Sequence, residues 1–164
     1  MASTATAAID PRALRDAAGR FATGVTVVTT RDETGAPVGL TANSFSSVSL
    51  DPPLVLWSLA KTSRAAAAFI AAEQFAIHVL GEDQRDLATR FSAPVADRFA
   101  GLERSASADG VPLLPGCRAR FECRTWQVVD GGDHHVFIGE VMAIDAPDDP
   151  RGSLVFLTGQ FRSL

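Results

Sequence analysis

Positive charge is scarce in this 164-residue chain. Its 15 basic residues are outnumbered by 19 acidic ones, for a net charge of −4. The broad basic face that a phosphate backbone demands is therefore not expected, and nucleic acid is not an expected partner. Lysine is nearly absent, since every basic residue except Lys61 is arginine. There are two cysteines, Cys117 and Cys123. In a strand they would lie ~20 Å apart, too far to bridge, and their spacing matches no zinc motif, so they read as reduced, buried or half-buried thiols. No apolar run approaches the ~18 residues of a membrane span, and no membrane association is expected. The Ala/Thr-rich stretch from Met1 to Ile9 has neither the basic nor the apolar region of a signal peptide and reads as a disordered tail. Together these absences point to a cytoplasmic protein. The dinucleotide, P-loop, nucleophile-elbow and zinc-protease motifs are all missing, so any cofactor must be held in another way.

The remaining residues, 46% of them hydrophobic and 21% charged, have the balance of one domain, running from Asp10 to Leu164. Asp10-Pro11 predicts an N-cap and a first helical proline for a helix ending near Arg20. The β-branched run Val25–Thr30, the polar turn Arg31–Gly35 and Val38–Ala42 predict a hairpin. Leu54–Leu59 is apolar on both faces, as a covered central strand would be. Ser63 followed by Arg64–Ala72 predicts a capped, Ala-rich helix. Phe75–Leu80 reads as a strand, Glu82–Phe91 as a helix, and Asp97–Phe99 as a short helical piece in a loop. Strands at Ala119–Val129, His135–Ile144 and Leu154–Phe161 close the chain. The connections are too short for parallel crossovers, so the fold class is mainly β with helices, an antiparallel barrel that dimerises. Trp57, Phe69, Phe121, Trp126 and Phe137 are candidates for core or interface, and His78 for a structural role.

Three segments carry candidate chemistry. In Gly39–Ser47 a strand breaks into hydroxyl and amide residues suited to the polar edge of a planar ring, or simply into a polar strand end. Ser58–Ser63 leads into the Ala-rich helix. It reads as an anion site built from orphan N–H groups, hydroxyls and Lys61, or as a plain capped helix with a solvated lysine. Gly131-Gly132-Asp133-His134-His135 heads a strand, where successive side chains point to opposite faces, so the two histidines cannot share a metal. They are a hydrogen-bonding or stacking group at a barrel rim, or two half-exposed imidazoles on a turn.

These segments in this order, with Phe21–Thr29 at the start and Gly159-Gln160-Phe161-Arg162 at the end, resemble the flavin reductase-like family. The likeness is most specific in Gly39–Pro53 (GLTANSFSSVSLDPP) and in Gly132-Asp133-His134 followed by Phe137–Val141. It implies the FMN-binding split β-barrel, of antiparallel Greek-key type, in a homodimer. It also implies an NAD(P)H:flavin oxidoreductase that supplies reduced FMN or FAD to a partner monooxygenase, with NADH or NADPH as donor. By that resemblance Thr41, Ala42, Asn43 and Ser44 line the flavin ring, and Ser58, Leu59, Ala60, Lys61, Thr62 and Ser63 surround its phosphate. Phe91, Ser92, Asp97, Phe99 and Phe161 approach it from loops, and His134 stands beside the nicotinamide as the catalytic residue. His135 replaces the family's usual apolar or hydroxyl residue and is expected to face outward, while Phe161 replaces a commoner tyrosine. The alternatives within the fold are a non-catalytic flavin- or haem-binding module, or a pyridoxamine-phosphate-oxidase-like or F420-using oxidoreductase.

Overall fold

The strand that organises the molecule is built of valine and threonine, and its neighbouring valines Val27 and Val28 point to opposite faces, into two separate cores. The computed structural model describes residues 8–164. Residues 1–7 of the expected tail lie outside the described residues. Helix α1 (Pro11–Ala18) starts where Asp10-Pro11 predicts, the Asp10 carboxylate accepting the Arg12 N–H at 3.0 Å. It stops at Gly19, just short of the expected end. There follow β1 (Thr23–Gly24), β2 (Thr26–Arg31), β3 (Pro37–Ala42), β4 (Ser46–Leu50), β5 (Pro53–Ala60), α2 (Ala66–Ala71), β6 (Gln74–Val79) and α3 (Arg85–Ser92). The chain continues through β7 (Ser105–Ala106), β8 (Pro112–Leu113), β9 (Ala119–Gly131), β10 (His134–Asp145), β11 (Leu154–Leu157) and β12 (Gln160–Ser163).

Seven strands form one antiparallel sheet in the order β3-β2-β6-β9-β10-β5-β4. The sheet curls until β3, at one edge, comes against β5 near the other. The ladder does not close there. Instead the Ser44 hydroxyl, just past β3, accepts the Ser58 N–H at 2.8 Å and donates to the Ser58 carbonyl at 3.2 Å. This is the antiparallel split barrel expected from the sequence.

Val28 of β2 points into one core, with Trp57, Phe69, Phe75 and Phe137. The Trp57 ring stacks on Phe137 at 4.7 Å and takes Phe69 edge-on at 4.9 Å. Val27 points to the other face, where α3 supplies Ala88 and Phe91, joined by Phe99, Leu114 and Leu154. The buried threonines of β2 are each satisfied: Thr26 donates to Ala42 O, Thr29 to Pro112 O and Thr30 to Gln74 O. His78 is equally buried and structural. Its Nδ1–H donates to Val27 O at 3.0 Å and its Nε2 accepts the Leu114 N–H at 3.1 Å.

Several local expectations are corrected. Helix α2 begins at Ala66, because Ser63 and Ala60 close a turn first (Ser63 N–H to Ala60 O, Ala66 N–H to Ser63 O). Asp97–Phe99 is not helical, since the Asp97 carboxylate takes the Phe99 N–H into a tight side-chain turn. The last expected strand is a hairpin, β11 and β12, reversed at Thr158-Gly159, both with positive φ. Cys117 precedes β9 rather than lying in it. Trp126, a candidate for core or interface, is half exposed and so lies outside the core.

Candidate functional site

A cleft of about 400 Å³ opens where the ends of β3 and β5 meet the end of α3. It is lined by Leu40, Thr41, Ala42, Asn43 and Ser44 from one strand end and by Ser58, Leu59, Ala60 and Ser63 from the other. Phe91, Ser92, Arg98 and His134 complete it. Sheet register explains the histidine: β10 runs antiparallel to β5 with His134 opposite Ala60 and Val136 opposite Ser58. The turn from β9 to β10, with Gly132 at φ +79°, thus delivers His134 to the rim of the cleft.

Three polar side chains at the site are held by named partners. The Thr41 hydroxyl donates to Ala88 O at 2.6 Å, tying β3 to α3 and leaving that hydroxyl only acceptor capacity toward the cleft. The Asn43 amide donates to Thr23 Oγ1 at 3.2 Å. His134 Nδ1 lies 2.7 Å from Asp133 Oδ1. An ionised carboxylate only accepts, so Nδ1 carries the proton and Nε2 is left for another partner. The same bond holds the Asp133 carboxyl below the usual range.

Arg98 is the residue that sequence reasoning missed. Its guanidinium lies along the cleft wall, Nη1 donating to Gly39 O at 2.8 Å, and Nε and Nη2 to Ala93 O at 3.1 and 2.8 Å. Arg90 of α3 grips the same loop through Arg98 O at 2.7 Å. Burial, and then the charge of Arg64, push the Arg98 pKa down. Its position between Asp97 and Phe99 was visible, but no local pattern tells one inward arginine from the other arginines of the chain.

Of the sequence-predicted residues, Thr41, Ala42, Asn43, Ser44, Ser58, Leu59, Ala60, Ser63, Phe91, Ser92 and His134 meet at this cleft. Five do not line it. Lys61 is drawn off by Asp130, Nζ to Oδ2 at 2.5 Å, while its backbone N–H donates to Asp133 O. Thr62 is exposed on a turn. Asp97 and Phe99 line a neighbouring cleft. Phe161 packs on Phe156, ring centres 5.5 Å apart, in the terminal hairpin. Phe91 is a buried wall rather than a free platform, holding Phe99 edge-on at 5.0 Å. Both cysteines are free thiols, and burial pushes Cys117 up to about 11 and Cys123 up to about 12, so neither ionises near neutrality.

Comparison with known proteins gives this cleft a context. The reductase component of a flavin-dependent trigonelline monooxygenase from Acinetobacter baylyi is 54% identical over 130 residues, covering 79% of this chain and 42% of that protein. An FMN reductase (NADH) from Agrobacterium fabrum is 50% identical over 151 residues, covering 92% and 84%. Among solved structures, an NADH:FAD oxidoreductase of Streptomyces globisporus in complex with NAD and FAD fragments superposes with a TM-score of 0.86 at 37% identity, covering 96% of each chain. Against three of its curated relatives, this chain spans only 44%, 58% and 42% of their length. The family model described as the flavin reductase like domain matches residues 18–164. With its split barrel and the cleft at its strand ends, the chain belongs to the flavin reductase-like domain family.

Proposed function

We propose that this chain is an NAD(P)H-dependent flavin reductase that reduces FMN or FAD and supplies the reduced flavin to a partner monooxygenase. The observation that carries the reading is the convergence of two hydroxyl-rich strand ends and His134 on one cleft. A flavin fits what is there. The cleft falls within the ~300–1,000 Å³ usual for small-molecule sites. Its donors are backbone groups, hydroxyls and one amide, which suit the polar edge of a planar heterocycle, and Arg98 supplies positive charge for a phosphate. Bound there, the flavin would supply the electrophilic ring that accepts a hydride from nicotinamide.

The chain's own work is then binding and orientation. Backbone and side-chain groups of Thr41–Ser44 fix the ring edge, and Ser58–Ala60 and Ser63 with Ser92 hold the polar tail. Lys61 contributes through its ion pair with Asp130, which steadies the β9–β10 turn. His134, oriented by Asp133, presents Nε2 beside the place a second planar ring occupies. Holding two rings face to face requires no strong acid or base, in keeping with a cleft lined by hydroxyls and by two cationic or titratable side chains, Arg98 and His134. The names of the relatives support NADH as donor and a monooxygenase as consumer.

A homodimer is part of this proposal, supported by exposed apolar side chains on β4 and the far end of β10. Two buried, unpaired thiols support a reducing compartment, the cytoplasm. The test is oxidation of NADH and of NADPH by purified protein under air, with FMN, FAD and riboflavin titrated separately. Turnover that saturates with flavin is the expected result. A tightly bound flavin that neither nicotinamide reduces would overturn the reading.

A further inference from the structure

The turn that carries His134 has little stiffness of its own. Gly131 and Gly132 stand side by side in it, Gly132 at φ +79°, and glycine leaves a backbone more freedom than other residues do. A rim group carried on such a turn keeps one place only if something outside the turn holds it. Lys61, the single lysine of the chain, does so twice. Its backbone N–H donates to Asp133 O at 2.9 Å, and its ammonium donates to Asp130 Oδ2 at 2.5 Å. Asp130 in turn accepts the Gly132 N–H on Oδ1 at 3.1 Å. The Lys61 ammonium, and then the Gly132 N–H, hold the Asp130 carboxyl below the usual range. One residue just past β5 thus grips both shoulders of the turn between β9 and β10.

The direction of the pleat separates this brace from the cleft. Ser58 and Ala60 of β5 line the cleft, whereas Trp57 and Leu59 are buried in the core on the reverse face of the sheet. On β9 Val128 packs against that same core, and Asp130, two residues on, follows it to the reverse face. The ion pair therefore lies behind the end of the sheet whose front carries His134, opposite Ala60. Lys61 and Asp130 line no part of the cleft itself.

We infer that Lys61 and Asp130 are positioning residues for His134: the pair fixes the Gly-Gly turn and so sets where His134 Nε2 stands in the cleft, without touching flavin or nicotinamide. The inference rests on the flavin reductase reading and deepens it, adding two residues that act on the site from the other face of the sheet. An exposed ion pair is a modest restraint, so the expected effect is a several-fold loss rather than an abolition of activity.

The test is a double-mutant cycle on the full chain. Lys61→Met keeps the apolar stem and removes the charge, while Asp130→Asn removes the charge and keeps an oxygen for the Gly132 N–H. Thermal melts check that both variants fold as the parent does. Each should lower kcat/KM for NADH about three- to fivefold, with flavin affinity, read by fluorescence quenching, within about twofold of the parent. In a His134→Ala background neither should lower kcat/KM further, because the group they position is gone. Lys61→Arg restores the charge and should recover part of the loss. A second readout needs no turnover: the His134 ring proton resonances, identified by their loss in His134→Ala, should shift in Lys61→Met and in Asp130→Asn. A loss of flavin affinity in Lys61→Met would overturn the inference by making the lysine a flavin ligand. An equal fall in kcat/KM with and without His134 would overturn it too, as would kinetics or resonances that do not move. A parent chain with no NADH:flavin turnover would sink the reductase reading instead, and the resonances would then decide the brace alone.

Discussion

Two histidines with the same side chain do opposite things here because of what surrounds them. His134 is 44% exposed, with its ring turned by Asp133 and one nitrogen free at the cleft. Replacing it by alanine removes a group that the proposed function places against the nicotinamide. The expected outcome of His134→Ala is a fall of about tenfold or more in kcat/KM for NADH, ~1.4 kcal/mol of transition-state binding, with flavin affinity unchanged. Steady-state kinetics beside a flavin titration checks both halves, and kcat/KM within twofold of the parent would remove His134 from the site. His78 has no such freedom. Both ring nitrogens are used internally, and burial, with a smaller contribution from Arg120, lowers its pKa from 6.5 to about 4. Above pH 6.5 it is neutral whether the chain is folded or not. As pH falls from 6.5 toward 4 the unfolded chain takes up a proton that the native one refuses, so stability declines through that window, by up to about 3 kcal/mol. The urea midpoint should drop between about pH 7 and pH 5. The His78 ring proton resonances should stay at their neutral positions throughout; native-state titration near the ordinary value would contradict the assignment.

At the scale of elements, the cleft depends on how closely α3 lies on β3. Gly39 marks the contact. A Cβ there would stand 2.7 Å from Phe91 Cε1 and 3.0 Å from Phe99 Cζ, and both rings are buried. Gly39→Ala is therefore expected to cost about 1–3 kcal/mol by overpacking and to push α3 outward, weakening flavin binding through Thr41, which ties β3 to α3, and through Arg98, which ties β3 to the loop after α3. Thermal melts would show the loss, and Gly39→Ala combined with Phe91→Leu should recover part of it. If the single variant is as stable as the parent, the packing argument fails. This element pair also shows what was legible in the sequence. The β2–β3 hairpin was readable because its turn is local: Asp32 binds the N–H groups of Thr34 and Ala36 within five residues. The two hydroxyl-rich strand ends were readable because each is a continuous segment. Lys61 was misjudged because its partner, Asp130, is 69 residues away. Arg98 was invisible because its inward fold is set by the carbonyls of Gly39 and Ala93 rather than by any side-chain pattern. The final hairpin was hidden because its turn uses Thr158 at φ +49°, where a side chain seldom sits.

At the scale of the whole molecule, one end of the sheet is poorly covered. Leu50 is 93% exposed and Val48 47%, both on β4, while Met142 and Ile144 on β10 are 60% and 63% exposed. They are near one another: Leu50 pairs with Pro53 at the start of β5, and β10 pairs with β5 up to Glu140 opposite Leu54, so Met142 and Ile144 run on past that same end. Scattered apolar residues are ordinary on a surface, but a cluster on strands with a free edge invites covering. A second copy of the chain covers it in the proposed homodimer. Burying one Leu or Ile side chain is worth about 1.5–3 kcal/mol, and a symmetric interface uses each residue twice. The combined substitution Leu50→Asp, Ile144→Asp should then weaken association by at least about 3 kcal/mol, more than a hundredfold in Kd. Sedimentation velocity should find the parent chain at twice its 17.3 kDa and the variant at its monomer mass. The parent melting temperature should rise with protein concentration, as dissociation coupled to unfolding requires, and that of the variant should not. A parent chain that sediments as a monomer across the micromolar range would remove the homodimer from the proposal, leaving β4 and β10 as a face awaiting a different partner.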